Sequence, residues 1–388
     1  MSYFHWIAGS LLALIWISRV IDAALGMPKV ADIARPEWNR KPEGNSRVSI
    51  IVPARNEEEH VGAALIKLLQ LDYENYEVIA VNDRSTDRTG EVMKQVASTQ
   101  KVGGRLKVLH ITELPPGWLG KAHAMWSAAD QASGDWLLFT DADVLFRPDV
   151  LNRTLAYAES ERADHVVLFP RVIMKGPGEK MMIAFFQTLF VFGHRPWKVA
   201  DPKTKDHMGV GAFNLIRRRV YNEIGTYQAL RFEVLDDMKL GKIVKASGYA
   251  QRNVYGEDLI SLRWAKGALG VVDNLTKNFF AIVSFQWWRM LLSAFALAFL
   301  NLMPFLGVFL AHGWERLPYS AALVCMLGIY VGMSWKSDVP PYYFFLHPLS
   351  TIVFVYTMLR SMTLTLVQGG VIWRGTFYPL DELRKGMV

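Results

Sequence analysis

Two carboxylates, Asp141 and Asp143, close the stretch Asp135–Asp143, which reads D-W-L-L-F-T-D-A-D. Trp136 to Thr140 is an apolar run of strand length. If the chain stays extended beyond it, positions i and i+2 project to the same side. Both acids then converge at the carboxyl edge of a sheet, where open α/β sheets bind ligands. Paired carboxylates there suit a hard divalent cation carrying a diphosphate. A lone D-x-D reads as well as an Asp-rich turn capping the next helix. The chain around it tips the balance towards chemistry.

The elements that must position these acids begin at Val48. Val48–Val52 reads as a buried strand, Pro53-Ala54-Arg55-Asn56 as its turn, and Glu57, Glu58 and Glu59 as a helix start, where acids complement the dipole. Glu77–Val81 is a second strand, ending at Asn82-Asp83-Arg84-Ser85-Thr86-Asp87-Arg88-Thr89. A helix to about Ala97, a strand over Leu106–His110, a helix over Lys121–Ala132 and the strand Trp136–Thr140 follow. This alternation predicts an α/β fold with a mostly parallel sheet and right-handed crossovers. No G-x-G-x-x-G follows the first strand, which argues against a dehydrogenase-type dinucleotide site. Further on, His165–Pro170 reads as a strand and Gly209–Asn214 as a glycine-rich turn. A strand and a basic helix start at Arg217–Arg219 come next, then a helix opened by Asp236 and Asp237.

Each polar cluster has a plainer reading. Asp83 or Asp87 could cap the helix after the second strand. Asp236 and Asp237 could serve as dipole partners. A first-turn Lys121 sits unfavourably with the helix dipole, which favours a phosphate role. His123, His194 and His207 read as structural or exposed.

Composition adds a membrane. Of 388 residues, 51% are hydrophobic and 13 are tryptophan, too apolar for a simple soluble enzyme and too polar for a pure membrane bundle. The net charge of +7 points to anionic lipid or phosphate rather than nucleic acid. The single Cys325 excludes a disulfide framework and a cysteine zinc site. Phe4–Leu25 reads as a signal anchor, and Lys29, Arg35, Arg40, Lys41 and Arg47 after it place the next domain in the cytoplasm. Met181–Phe192 reads equally as an interfacial or a core helix, and Lys277–Trp288 as interfacial. Met290–Ala311, Pro318–Trp335 and Tyr342–Leu359 have the character of spans. Three spans would put Arg374, Arg384 and Lys385 outside, against the positive-inside rule. Either one segment is re-entrant or interfacial, or the N-terminal orientation is wrong. The resulting division is anchor 1–27, linker 28–46, cytoplasmic domain 47–275, interfacial and transmembrane helices 276–375, and tail 376–388.

Five motifs stand in order: P-A-R-N-E-E at Pro53–Glu58, N-D-R-S-T-D-R-T at Asn82–Thr89, W-L-G-K-A-H-A at Trp118–Ala124, D-A-D at Asp141–Asp143 and L-D-D-M at Leu235–Met238. Together they make the chain resemble the membrane-bound family 2 glycosyltransferases over roughly residues 47–280. The likeness is to the lipid-directed branch, with its ceramide glucosyltransferase-like, hopanoid-associated and carotenoid-ester enzymes. The resemblance implies a GT-A type nucleotide-binding domain between N-terminal and C-terminal transmembrane helices. It implies that Asp83 reads the nucleobase of a UDP-sugar, with Glu57 beside it and Pro53, Asn56 and Arg84 in the same donor-binding set. Lys121 then meets the nucleotide, and Asp141 and Asp143 hold Mg²⁺ or Mn²⁺ on the diphosphate. Asp237, with Asp236 as rival, becomes the general base.

The chemistry asks for these types. Negative charge grows on the departing diphosphate, and a divalent metal with a nearby Lys or Arg stabilises it. One carboxylate opposite the leaving group activates the hydroxyl for direct displacement, which inverts the anomeric centre; no flanking pair of glycosidase type is needed. Processive relatives carry Q-x-x-R-W, whereas Ile260-Ser261-Leu262-Arg263-Trp264 keeps Arg-Trp but has Ile260 in the glutamine position. That favours a single transfer. Arg263 faces the diphosphate or is an interfacial cation beside a belt tryptophan, Trp264. The expectation is an integral protein of a bacterial inner (plasma) membrane, moving one sugar from a nucleotide-sugar donor to a membrane lipid acceptor. A polysaccharide synthase and a non-catalytic nucleotide-binding membrane scaffold are the alternatives.

Overall fold

Apolar runs that alternate with helices do stack into one sheet. The computed structural model describes residues 2–99, 104–335 and 337–386. Its strands in chain order are β1 (Val48–Ala54), β2 (Tyr76–Asp83), β3 (Leu106–Ile111), β4 (Trp136–Phe139), β5 (Leu145–Phe146), β6 (His165–Leu168), β7 (Arg171–Val172), β8 (Asn214–Arg217), β9 (Gln251–Val254), β10 (Ile260–Leu262), β11 (Gly370–Trp373) and β12 (Thr376–Pro379). The main sheet runs β3-β2-β1-β4-β8-β6-β9. β1 is parallel to both β2 and β4, and Val48, Ile50, Ile51 and Val52 are fully buried. Strands covered on both faces need such unbroken apolar runs. The chain order reverses between β1 and β4, and a crevice at that kind of switch point is where open α/β sheets take ligands.

β8 is the exception, antiparallel to β4 and β6. Asn214 pairs with Phe139, so the Gly209–Phe213 turn enters the sheet at the carboxyl end of β4. Two expectations change here. The chain does not stay extended to Asp143: β4 ends at Phe139, and Ala142 and Asp143 lie in a turn. Glu57–Glu59 do not open a helix, which starts at Val61; the Glu57 and Glu58 amides donate instead to Thr89 Oγ1 and Asp87 Oδ2.

Contacts group the chain into two units that are discontinuous in sequence. One holds the sheet and comprises Val30–Ile173, Lys198–Arg263 and Ile372–Val388. The other is helical and comprises Met1–Lys29, Met174–Trp197 and Trp264–Val371. This departs from the contiguous division at 275/276, because composition along the chain cannot register an excursion and return.

Among the described residues of the helical unit, Tyr3–Lys29, Trp287–Leu310, Gly313–Ser334 and Pro341–Gln368 are long and apolar enough to cross a membrane. Gly307 is needed where Tyr319 packs: a Cβ there would lie 2.5 Å from the ring. Lys277–Trp288 is not one interfacial helix. The helix Gly267–Ile282 ends first, Ser284 and Phe285 turn with φ near +55°, and Trp287 begins the next helix. The helix Pro177–Gly193 is core on one side, with Phe185 fully buried against His347 and Phe354.

Candidate active site

The acids meet at the carboxyl edge of β4. Lys121, in the first turn of the helix Gly120–Asp130, places Nζ 2.8 Å from Asp141 Oδ1 and 3.8 Å from Asp236 Oδ1. Burial works against its charge, but Asp141, Asp236 and Asp237 outweigh it and hold the ammonium well above the usual lysine range. Asp236 is buried and accepts a bond from the Tyr227 hydroxyl at 3.4 Å. Asp237 is half-buried; its Oδ2 accepts from Gly211 N (2.8 Å) and its Oδ1 from Met238 N (2.7 Å). Burial and the Asp236 charge push its carboxyl up to about 6. Asp143 is pushed up to about 7 by burial and then by the charges of Asp141 and Glu57. Three acids thus crowd around one lysine, and Asp143 lies within electrostatic reach of Asp141.

The glycine-rich turn makes that crowding possible. A Cβ at Gly209 would sit 1.8 Å from the Asp237 carbonyl oxygen, and one at Gly211 would sit 2.5 Å from Asp141 Oδ2. Both contacts are closer than any side chain allows. Gly211→Ala should therefore displace Asp141 and cut sugar transfer by at least tenfold while the fold's melting temperature falls only modestly; steady-state kinetics beside thermal denaturation checks this. Unchanged kinetics would mean that Asp141 need not stay in place.

A second corner lies at the ends of β1 and β2. Asp83 is buried, and both its oxygens accept from its neighbour Arg84, at 2.7 and 3.0 Å. Asn56 and Arg84 both adopt left-handed backbone, φ +54° and +52°. Asn56 Oδ1 accepts from Thr86 N at 2.8 Å, tying the two loops together. Helix capping falls to Asp87, whose Oδ1 accepts from Thr89 N, and leaves Asp83 to the crevice. Pro53 lies in β1 beyond Ile51, where pairing with β4 has ended, so its missing N–H costs no ladder bond there. Glu57 Oε1 is met by Arg374 Nη2 at 2.5 Å.

Two expected residues follow β10. Arg263 ends the sheet unit just after β10, half-buried, whereas Trp264 opens the helical unit and packs its ring on Phe186 at 5.1 Å. Others were missed. Arg55, Thr376 and Tyr378 join the corner: Arg55 Nη1 donates to Thr376 Oγ1 at 2.7 Å, and Gly120 N donates to the Tyr378 hydroxyl at 3.1 Å. No motif announces the C-terminal residues; their one trace in the sequence was the basic charge that fitted no outside location.

A family model described as glycosyl transferase family 2 matches residues 49–225, from β1 to beyond β8. The chain carries a family 2 glycosyltransferase domain. A 4,4'-diaponeurosporenoate glycosyltransferase of Staphylococcus haemolyticus is 24% identical over 248 residues, 62% of this chain and 64% of that protein. Its namesake in Staphylococcus aureus strain USA300 is 21% identical over 387 residues, 95% and 99% of the two chains. Among solved structures, the mannosyltransferase PcManGT from Pyrobaculum calidifontis, in complex with GDP-Man and Mn²⁺, shares the fold. The TM-score is 0.53 at 18% identity, over 92% of this chain and 99% of that one.

Proposed function

We propose that this glycosyltransferase moves one sugar from a nucleotide-sugar donor to a membrane lipid, with inversion at the anomeric carbon. The arrangement of Lys121 between Asp141 and Asp236, with the half-buried Asp237 beside them, carries the reading. Asp237 is the base: ionised at neutral pH, it takes the proton of the acceptor hydroxyl as that oxygen attacks the sugar's anomeric carbon. Asp236 keeps Lys121 in place, and Lys121 meets the diphosphate as its charge grows. Asp83 with Arg84, and Glu57 with Asn56 and Pro53, form the nucleoside end.

The donor set fits Mg²⁺ or Mn²⁺. Asp141 and Asp143 are hard oxygen ligands, and Asp143 is destabilised as an anion by burial and then by its acidic neighbours, a strain that a cation relieves. Among the described residues no group of three or more His, Cys, Asp or Glu side chains is arranged to hold a metal ion by itself. Two carboxylates with phosphate oxygens completing the shell is the usual arrangement for such an ion. Bound there, the metal would neutralise the leaving diphosphate.

The relatives named as 4,4'-diaponeurosporenoate glycosyltransferases and the four long apolar helices among the described residues favour a lipid acceptor. Leu269 and Ile282, 77% and 58% exposed, mark the helix Gly267–Ile282 as interfacial. Leu269→Ser with Ile282→Ser should slow transfer to lipid several-fold and spare hydrolysis of the donor. Equal loss of both rates would contradict this. The membrane topology follows from parity. The chain leaves the sheet unit at Arg263 and rejoins it at Ile372, so the helices between cross an even number of times. Two of three span, and the third lies along or dips into the bilayer. Pro341–Gln368 is that third helix, because it buries His347, Ser350, Thr351, Thr357, Ser361 and Thr365. Arg374, Arg384 and Lys385 then fall inside with a cytoplasmic catalytic unit, as positive charge requires. A cysteine at Arg384 should label in inside-out vesicles; labelling from the outside contradicts the parity.

Binding is the direct test of the donor end. Asp83→Ala should weaken nucleoside diphosphate affinity by about tenfold or more, the effect of one lost bond to a charged group. Unchanged affinity would remove Asp83 from the donor site.

A further inference from the structure

We propose that the C-terminal hairpin is a working wall of the donor site, and that Arg374 at its tip, with Arg55, binds the diphosphate of the nucleotide donor. The proposal rests on the glycosyltransferase reading and adds Arg374, which no motif supplies.

β11 and β12 are joined by Arg374 and Gly375, both left-handed, with φ +47° and +76°. That is a two-residue turn of the type that prefers Asn-Gly, and arginine in its first position carries backbone strain. Strain of this kind persists where the surroundings demand the side chain. Here the guanidinium reaches Glu57 Oε1 at 2.5 Å and also donates to the Arg55 carbonyl. It is still 45% exposed, within reach of a ligand in the crevice.

The hairpin's other contacts converge on the same place. Thr376 accepts from Arg55 and Tyr378 from Gly120 N, the residue before Lys121. A Cβ at Gly120 would lie 2.4 Å from Arg84 Nη2, 2.6 Å from Asp83 Oδ2 and 3.5 Å from the Tyr378 hydroxyl. The chain end is therefore inserted among the residues of the nucleoside corner. Two nearby donors and acceptors await a partner among the described residues: Arg55 Nε and His123 Nδ1, both buried. Three guanidiniums, Arg55, Arg84 and Arg374, gather beside Asp83 and Glu57, with Asp143 within electrostatic reach of Glu57 and Arg374. Guanidiniums present several donors at once, which an anion with several acceptor oxygens matches. A nucleoside diphosphate brings the base to Asp83 and the phosphates to Arg374 and Arg55. Glu57 parks Arg374 until they arrive.

The variant that separates roles is Arg374→Asn, which keeps a residue suited to the left-handed turn and removes only the guanidinium. Titration calorimetry would use the full chain in detergent with UDP and GDP, each with Mn²⁺, and with the matching nucleosides. The expected result is diphosphate binding weakened by about tenfold or more, with nucleoside binding unchanged. Equal loss for nucleoside and diphosphate would mean that the hairpin is only a structural clasp, and unchanged diphosphate binding would overturn the proposal. Wild-type protein that binds neither diphosphate overturns the underlying function as well, so the two failures differ. Should the variant misfold, hydrogen exchange on the wild type decides. Residues 372–379 should exchange more slowly when diphosphate is added, and no change refutes their contact with it.

Discussion

Asp237→Asn should lower the turnover of sugar transfer by about 10² to 10⁴, the range for a lost general base, while leaving donor affinity near that of wild type. The substitution is not innocent. Both carboxylate oxygens of Asp237 accept backbone N–H bonds, from Gly211 and Met238. An amide can accept only one, so its NH₂ group must face a donor, at a cost of about 1–3 kcal/mol. Thermal stability and donor binding must therefore be measured beside kinetics. The pH profile supplies an independent readout. With the Asp237 carboxyl raised to about 6, wild-type turnover should fall as pH drops through that value and the base is protonated. The variant's residual rate should lack this acid limb. Asp236→Asn should act differently, since Asp236 holds Lys121 and accepts from Tyr227; it should weaken donor binding first. An active Asp237→Asn with a dead Asp236→Asn would make the neighbour the base.

Loss of the cation site should be as severe. Asp143→Ala should abolish transfer, and chelation of the wild type should do the same, with activity restored by Mn²⁺ or Mg²⁺. Metal-dependent donor binding should vanish with the side chain. There is an informative side effect. Asp143 is disfavoured as an anion by burial, Asp141 and Glu57, so its removal relieves repulsion between buried acids. Asp143→Ala should thus leave the metal-free protein at least as stable as wild type at neutral pH, as for many acids kept for function. Full activity in EDTA with no tightly held metal would contradict the assignment.

How much of this was legible beforehand varies with the physics. Strands covered on both faces must be continuous apolar runs, and Val48–Val52, Leu106–His110 and Trp136–Thr140 announce themselves within two residues of the observed ends. The polar clusters at their carboxyl ends stand out because charge follows abruptly on burial. Glycines at 209 and 211 were visible as a turn, but their reason, contact with Asp237 and Asp141, requires the antiparallel entry of β8. Periodicity carries no trace of that reversal. Asp141 and Asp143 were expected on an extended strand, but the strand ends at Phe139 and Asp143 lies in a turn; two residues cannot distinguish these conformations. Helix Met181–Phe192 read equally as interface or core because its apolar residues fit either, and only the partners of Phe185 decide. The hairpin was invisible for the opposite reason. Its residues act across more than 300 positions of sequence, with Arg374 meeting Glu57, and nothing local encodes such a pairing.

The central claim is transfer of one sugar to a membrane lipid, and one measurement addresses it most directly. The purified full chain would be incubated with lipid extract, Mn²⁺ and isotopically labelled nucleotide-sugars, and the lipids analysed by mass spectrometry. The account predicts a lipid product heavier by a single sugar residue, formed in step with release of nucleoside diphosphate and absent with Asp237→Asn. A ladder of masses, or diphosphate released with free sugar and no modified lipid, would contradict it.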